Sequence, residues 1–360
     1  MPRLLVWFWS SGGGGSLFAA HLAHRLTRDF GADNVMLSMQ QGDPSLARAE
    51  ALGVRTLTAP VVSSRQKPLA TVSGLAQSAA VVDEHLRLSR ADCVIAAMNF
   101  AACAPLSTML SKPLIYCVHD PQPHSGDYVA LGQRLTQSLL LARASQVVAF
   151  SKFAGERVRG ARGRLHVAPL SSVFVPHVPA ERTGGGPIRL LMLGRLIAYK
   201  GVDILADAMD QLSARGDWRL TIAGGGPALT ADLRARFDSA RVTIRHSFLS
   251  DDDLDELIDE HDVILAPYRE ATQSGVVAQG LARGKPVVAT PVGALPEQLG
   301  GGRAGWIAKE PTGEAFAAAI VEALDNPKAR ASRAGAAREL AADAWETRSW
   351  QWLADTPRLS

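Results

Sequence analysis

The sequence predicts an α/β protein built from two doubly wound domains, each a parallel sheet covered by helices on both faces. Three observations carry this. The chain has 360 residues, more than one core ordinarily organises, because single cores rarely grow past about 250–300 residues. Short, near-continuous apolar runs alternate with longer helix-periodic stretches, which is the pattern of buried parallel strands and their crossover helices. The alternation breaks once, over residues 173–187, where Pro176, Pro179 and Gly184-Gly185-Gly186 stand, and then begins again.

In the first half, residues 4–9, 35–39, 54–57, 93–97, 113–118, 147–150 and 165–168 are expected strands, each apolar and too short for a helix. Residues 17–30, 75–88 and 131–142 have helical spacing. After the break, strands are expected at 188–193, 218–223, 242–246, 263–266 and 286–289, and helices at 201–215, 228–237, 252–261 and 275–283. The acidic run Asp251-Asp252-Asp253 follows Ser250, so helix capping and dipole complementarity account for it. The expected organisation is a first domain over 1–172, a linker over 173–187, a second domain over 188–335 and a helical tail over 336–360. That tail holds Trp350 and Trp352, with Trp345 just inside it, and is expected to pack back across the domain junction, because indoles are costly to leave in water.

Composition narrows the function. Apolar residues make up 47% and charged residues 20% of the chain, which fits a globular protein and excludes a disordered or fibrous one. A net charge of +3 is too small to suggest a nucleic-acid binder. The halves differ: residues 1–180 hold 17 Lys and Arg against 10 Asp and Glu, whereas residues 181–360 hold 21 against 25. Cys93, Cys103 and Cys117 lack metal-ligand spacing and lie in apolar surroundings, so buried free thiols are expected. The apolar run 4–9 is too short for a signal peptide core. The uncharged stretch between Asp92 and Lys112 contains Asn99 and Pro105 and reads as a buried strand followed by a buried helix. A cytoplasmic protein is expected, with any membrane contact peripheral.

Several motifs stand where doubly wound sheets bind ligands, beyond the C-terminal strand ends. Gly12-Gly13-Gly14-Gly15 with Ser16 lies between the first strand and its helix. Gly14 and Gly15 would let a phosphate approach a helix N-terminus, and Ser16 could cap that helix. The dinucleotide and P-loop fingerprints are both missing here. Gly194-Arg195 follows the first strand of the second half and Lys200-Gly201 opens its helix, so the two cations could clamp a diphosphate. Ser274-Gly275-Val276 begins another helix after a strand and polar loop. The run 119–124 contains two histidines, but its prolines favour a rigid loop over a metal site. Arg157, Arg159, Arg162 and Arg164 form a basic run that reads either as a solvated helix end or as a surface for anionic head groups or a lipid diphosphate.

Gly194-Arg195 with Lys200-Gly201, the 223–227 turn, Ser274-Gly275-Val276, the 284–290 run and Gly293-Ala294-Leu295-Pro296-Glu297 occur in order. Together they resemble the donor-binding half of a GT-B glycosyltransferase of the large retaining family 4, two Rossmann-like domains facing across a cleft. The likeness is strong over 188–325. It is weaker in the first half, where it rests on the glycine loop, on His119-Asp120 and on Ser151-Lys152-Phe153.

That resemblance implies a hexosyltransferase using a UDP- or GDP-linked sugar, with no bound cofactor or metal. Arg195 and Lys200 would hold the diphosphate, Gly194, Gly225, Ser274, Gly275 and Val276 would line the donor, and His119 would meet the donor sugar or the acceptor. The family's two glutamates, eight positions apart, fall on Ala271 and Gln279; Glu270 is one residue from the first. Gln279 could still bond a ribose hydroxyl through its carbonyl oxygen. Asp120 and the basic run would lie on the acceptor or membrane side. A lipid-linked sugar acceptor at the inner membrane surface, in bacterial surface polysaccharide or glycolipid assembly, uses the charge asymmetry best. A non-catalytic sugar-nucleotide-binding or scaffolding protein and a nucleotide-sugar epimerase stay open as alternatives.

Overall fold

The computed structural model describes residues 1–10, 12–60, 72–100, 102–122, 130–161, 163–177 and 185–355. Contacts divide the chain into two units. The first comprises residues 1–123, 128–173 and 347–360, the second residues 124–127 and 174–346.

Among the described residues the first unit builds a seven-stranded sheet in the order β3-β2-β1-β4-β5-β6-β7. Its strands are β1 (Leu4–Phe8), β2 (Val35–Gln40), β3 (Arg55–Ala59), β4 (Cys93–Ala96), β5 (Leu114–Val118), β6 (Gln146–Ala149) and β7 (Leu165–Val167). All pairings are parallel, with Leu4 level with both Val35 and Cys93. Helices α1 (Gly14–Phe30), α2 (Ser45–Ala51), α3 (Val72–Ser89), α4 (Cys103–Ser107), α5 (Ala130–Arg143) and α6 (Lys152–Gly155) connect them. β1, β4 and β5 are buried at every position, as strands covered on both faces must be. The uncharged stretch after Asp92 is β4 followed by the short, buried α4. Cys93, Cys103 and Cys117 are free and buried, and burial pushes the Cys93 thiol up to about 12.

The second unit repeats the plan with six parallel strands ordered β10-β9-β8-β11-β12-β13. These are β8 (Ile188–Leu193), β9 (Trp218–Ala223), β10 (Val242–Arg245), β11 (Val263–Ala266), β12 (Val287–Ala289) and β13 (Gly305–Ile307). Helices α7 (Val202–Gln211), α8 (Ala231–Arg236), α9 (Asp251–Glu260), α10 (Gly275–Ala282), α11 (Leu295–Gln298), α12 (Gly313–Asp325) and α13 (Pro327–Glu346) complete it. Alternate residues of one strand feed opposite cores: Leu190 and Met192 join one apolar cluster, Leu191 and Leu193 the other. That alternation is why the strands read as continuous apolar runs. Ser250 caps α9 in a capping box with Asp253.

Helix α13 runs unbroken through residue 335, and the chain enters the first unit at Thr347. There α14 (Trp352–Asp355) lies with Trp352 stacked on His166 at 3.6 Å, and Trp350 is fully buried 6.4 Å from Phe150. Arg25 of α1, also buried, ties this return into place. It pairs with Asp29 at 2.9 Å and donates to the carbonyls of Ser172 at 3.3 Å and Thr347 at 2.8 Å. Among the described residues no helix is long and apolar enough to cross a membrane.

Candidate functional site

In the second unit the strand order reverses between β8 and β11, so the loops leaving these two strands diverge and open a crevice at the C-terminal edge. The β8 loop carries Gly194, Arg195 and Lys200; the β11 loop runs from Pro267 to Ser274 and into α10. Gly201 makes the close approach of the two loops possible. Its φ is 68°, and a Cβ there would lie 1.9 Å from the Pro267 carbonyl oxygen, so only glycine fits. The Arg269 amide completes the contact by donating to the Tyr199 carbonyl at 2.7 Å.

Lys200 places its ammonium 3.7 Å from the centroid of the Tyr268 ring, an attractive cation–π geometry. The Tyr268 hydroxyl in turn lies 3.2 Å from Ser274 Oγ. Ser274 caps α10, its hydroxyl accepting from the Val277 amide at 3.3 Å. Gln298 of α11 holds the same residue from outside, accepting from its amide at 2.8 Å and donating to its carbonyl at 3.2 Å. Lys200 and the start of α10 are therefore joined through one aromatic ring. The Gly275 and Val276 amides find no acceptor among the described residues, leaving two donors and the positive helix end facing outward.

Gly194 packs against Val276, whose Cγ2 would be 3.5 Å from a Cβ at Gly194. Arg195 is exposed, and its guanidinium has no hydrogen bond or ion pair among the described residues. The β9 turn supports this loop from below: Gly224 (φ 135°) would put a Cβ 1.9 Å from the Gly194 carbonyl oxygen, and the Gly225 carbonyl accepts from the Leu196 amide at 2.8 Å. Gly225 thus has a backbone-pairing role that its motif alone did not reveal. Gln279 donates one amide hydrogen back to the Gly275 carbonyl at 3.3 Å, which leaves its carbonyl oxygen as an acceptor. Ala271, at the family's first glutamate position, is 5% exposed, and Glu270 is half-buried beside it.

The first unit reverses its strand order between β1 and β4. Here the glycine loop differs from expectation. Helix α1 begins at Gly14 with Gly13 as its cap and no side-chain cap bond. Ser16 does not cap it. Its hydroxyl donates to buried Asp43 at 2.6 Å, and the same carboxylate accepts from the amides of Gly12 at 3.0 Å and Ser45 at 2.9 Å. Asp43, two elements away in sequence, satisfies donors that the loop otherwise offers to a ligand; nothing local in the glycine run signals it. Gly15 has a packing reason as well, since a Cβ would meet Phe8 Cζ at 2.6 Å.

His119 stands directly after β5. Its Nε2 lies 3.0 Å from the Ala97 carbonyl, and its ring meets Phe18 at 4.4 Å and Phe150 at 4.8 Å. Burial among these groups presses its pKa down to about 4, against the upward pull of Asp120 and the Ala97 carbonyl. The ring is neutral at physiological pH, with Nε2–H the donor to Ala97.

The basic run is split by the structure. Arg164 is committed to the carbonyls of Ala144, Leu141 and Gly160, so the expectation that it faces an acceptor is corrected: it binds the fold together. Arg157 and Arg159 are exposed, and Arg162 lies outside the described residues, as do His124 and the linker residues 178–184. Among the described residues no group of three or more His, Cys, Asp or Glu could hold a metal.

Residues 12–171 match the family model described as Glycosyltransferase Family 4, and residues 187–326 match Glycosyl transferases group 1. A GDP-mannose-dependent alpha-(1-6)-phosphatidylinositol monomannoside mannosyltransferase of Mycolicibacterium smegmatis is 32% identical over 194 residues, 50% of this chain and 49% of that protein. The alpha-D-kanosaminyltransferase of Streptomyces kanamyceticus is 30% identical over 145 residues, 39% of this chain and 37% of that protein. These matches span about half of the curated relatives' length or less. Anabaena HepE, crystallised in complex with UDP and glucose, superposes with a TM-score of 0.74 at 19% identity over 99% of both chains, which shows a shared fold.

Proposed function

The chain belongs to the glycosyltransferases of family 4 and group 1, and from that premise we propose that it transfers a hexose from a nucleoside-diphosphate sugar to an acceptor hydroxyl. The observation that carries this reading is the meeting of Arg195, Lys200 and the open start of α10 at one switch-point edge. A diphosphate bound there meets a planar guanidinium, an ammonium pinned on a ring and two free amides. When the bond between the anomeric carbon and the diphosphate breaks, the electron pair leaves with the diphosphate, and these groups stabilise that charge. The acceptor oxygen bonds the anomeric carbon and gives up its proton. Retention of configuration follows from the family, and so does the absence of a cofactor.

Gln279, with its carbonyl oxygen available, suits a ribose hydroxyl. Glu270, half-buried beside Ala271, would supply the carboxylate near the donor sugar that position 271 lacks. Neutral His119, fixed by Ala97, acts as a hydrogen-bonding group toward sugar. The UDP of the HepE complex and the GDP-mannose in the mannosyltransferase's name make these two nucleotides the first to test. The finer reading places the enzyme in the cytoplasm, at the inner membrane surface, in polysaccharide or glycolipid assembly with a lipid-linked acceptor. Thermal unfolding with UDP, GDP and ADP tests donor binding. Ligand at a hundred times its Kd adds about 2.7 kcal/mol, and one of the first two should do so. No shift with any of the three contradicts the assignment.

A further inference from the structure

The loops that follow β5 and β6 in the first unit enclose a cavity of about 440 Å³ together with helix α5. Its walls include Arg134, Gln137 and Ser138 of α5, Pro121 after β5, and Arg157 and Arg159 after α6. Among the described residues no carboxylate lines it. Three guanidiniums around one hollow repel each other unless an anion sits among them. Their mountings differ in a way that suits such an anion. Arg157 is preset, stacked 3.5 Å over the Phe153 ring and donating to the Phe153 carbonyl at 3.0 Å. Glu156 reaches it only at 3.9 Å from an exposed position. Gln137 is fixed to the Pro121 carbonyl at 3.2 Å, which holds the β5 loop against α5. The guanidiniums of Arg134 and Arg159 have no partner among the described residues.

The cavity opens at the same sheet edge as His119, because the β5 loop that carries His119 and Asp120 continues directly into Pro121. It is within the range of about 300–1,000 Å³ typical of small-molecule pockets. We propose that this cavity binds the phosphate of the acceptor. The proposal rests on the glycosyltransferase reading above and gives it a substrate class: an acceptor that bears a phosphate group, held by Arg134, Arg157 and Arg159 while its hydroxyl is presented to the donor. Guanidinium forks match phosphate oxygens in pairs, which favours phosphate over a simple carboxylate-free sugar.

The phosphate could belong to a soluble sugar phosphate or to a lipid headgroup, and the two sources separate experimentally. Full-length wild type, Arg134→Ala/Arg159→Ala and a control Arg87→Ala/Arg90→Ala are titrated with sn-glycerol 3-phosphate. The same proteins are sedimented with phosphatidylcholine vesicles with and without phosphatidylglycerol. Arg87 and Arg90 line a different hollow at the N-terminal edge of the same sheet, beside Asp92, so the control removes equal charge elsewhere. The wild type should bind the phosphate in at least one form, and the cavity variant should weaken that binding about tenfold or more while the control keeps it. Binding of glycerol phosphate in solution identifies a soluble source; binding to the anionic vesicles alone identifies a lipid. Wild type that binds neither, or a control weakened as much as the cavity variant, overturns the proposal. The UDP or GDP thermal shift, measured on the same samples, reports on the donor site alone, so a missing shift counts against the glycosyltransferase reading and not against the cavity.

Discussion

Lys200 shows how a single side chain gains function from its neighbours. Unlike most lysines of the second unit it sits against an aromatic face and beside a capped helix start, so its charge is held where the proposed diphosphate would also meet the α10 amides. Lys200→Ala should weaken nucleoside-diphosphate binding about tenfold or more, read by calorimetry, with unfolding temperature nearly unchanged; equal affinities would remove Lys200 from the donor site. His119 makes a second residue-scale prediction. Its pKa is about 4 in the fold against about 6.5 unfolded, so the folded state binds fewer protons between these values. The stability it contributes is full above about pH 6.5 and declines as pH falls toward 4. Denaturant melts at pH 7 and 4.5 should show wild type losing about 2 kcal/mol more than His119→Asn, and parallel losses would contradict the desolvated, neutral ring.

Elements were legible in the sequence to the extent that their stabilising contacts were local or periodic. β8, β9 and β11 fall at the expected residues because β11 is buried at every position and β8 and β9 at most of theirs, each with one exposed arginine, Arg189 and Arg219, so burial on both faces makes the runs largely apolar. β12 starts at Val287 because Pro286 has no N–H; its carbonyl still accepts from Ile264 at 3.0 Å. α8 starts at Ala231, later than the apolar spacing suggested, because Thr230 caps it. β13 has three residues, the first of them Gly305, too few to show a period. The candidate donor site was legible at Arg195, Lys200 and Ser274, whose chemistry lies in short motifs. Gln298, Tyr268 and Asp43 were not, because each acts on a residue brought near only by folding. Gly201 spans both cases. Its motif was readable, and the contact with Pro267 that demands it was not. Gly201→Ala should cost about 3 kcal/mol or more in chemical denaturation; a loss below about 1 kcal/mol would mean the β8 and β11 loops are not held together there.

For the whole molecule, the chain builds the same parallel architecture twice and then returns to the first unit. Buried Arg25 receives that return by holding the Thr347 carbonyl as well as Ser172 and Asp29. Arg25→Ala leaves Asp29 unpaired and should destabilise the protein by about 3–5 kcal/mol in thermal or denaturant unfolding; a change within about 0.5 kcal/mol would show that the return is anchored by Trp350 and Trp352 alone. The charge difference between the halves fits the proposed division, in which the second unit would bind the donor through local cations and a helix end, despite its net negative charge, while the basic first unit would meet the acceptor. The most direct measurement is the release of nucleoside diphosphate from a panel of UDP- and GDP-sugars in the presence of lipid extract, by wild type and by Arg195→Ala. The account predicts release from at least one sugar nucleotide by the wild type, reduced about a hundredfold or more in the variant at an unchanged unfolding temperature. Binding without release from any donor, or equal rates for the two proteins, would contradict it.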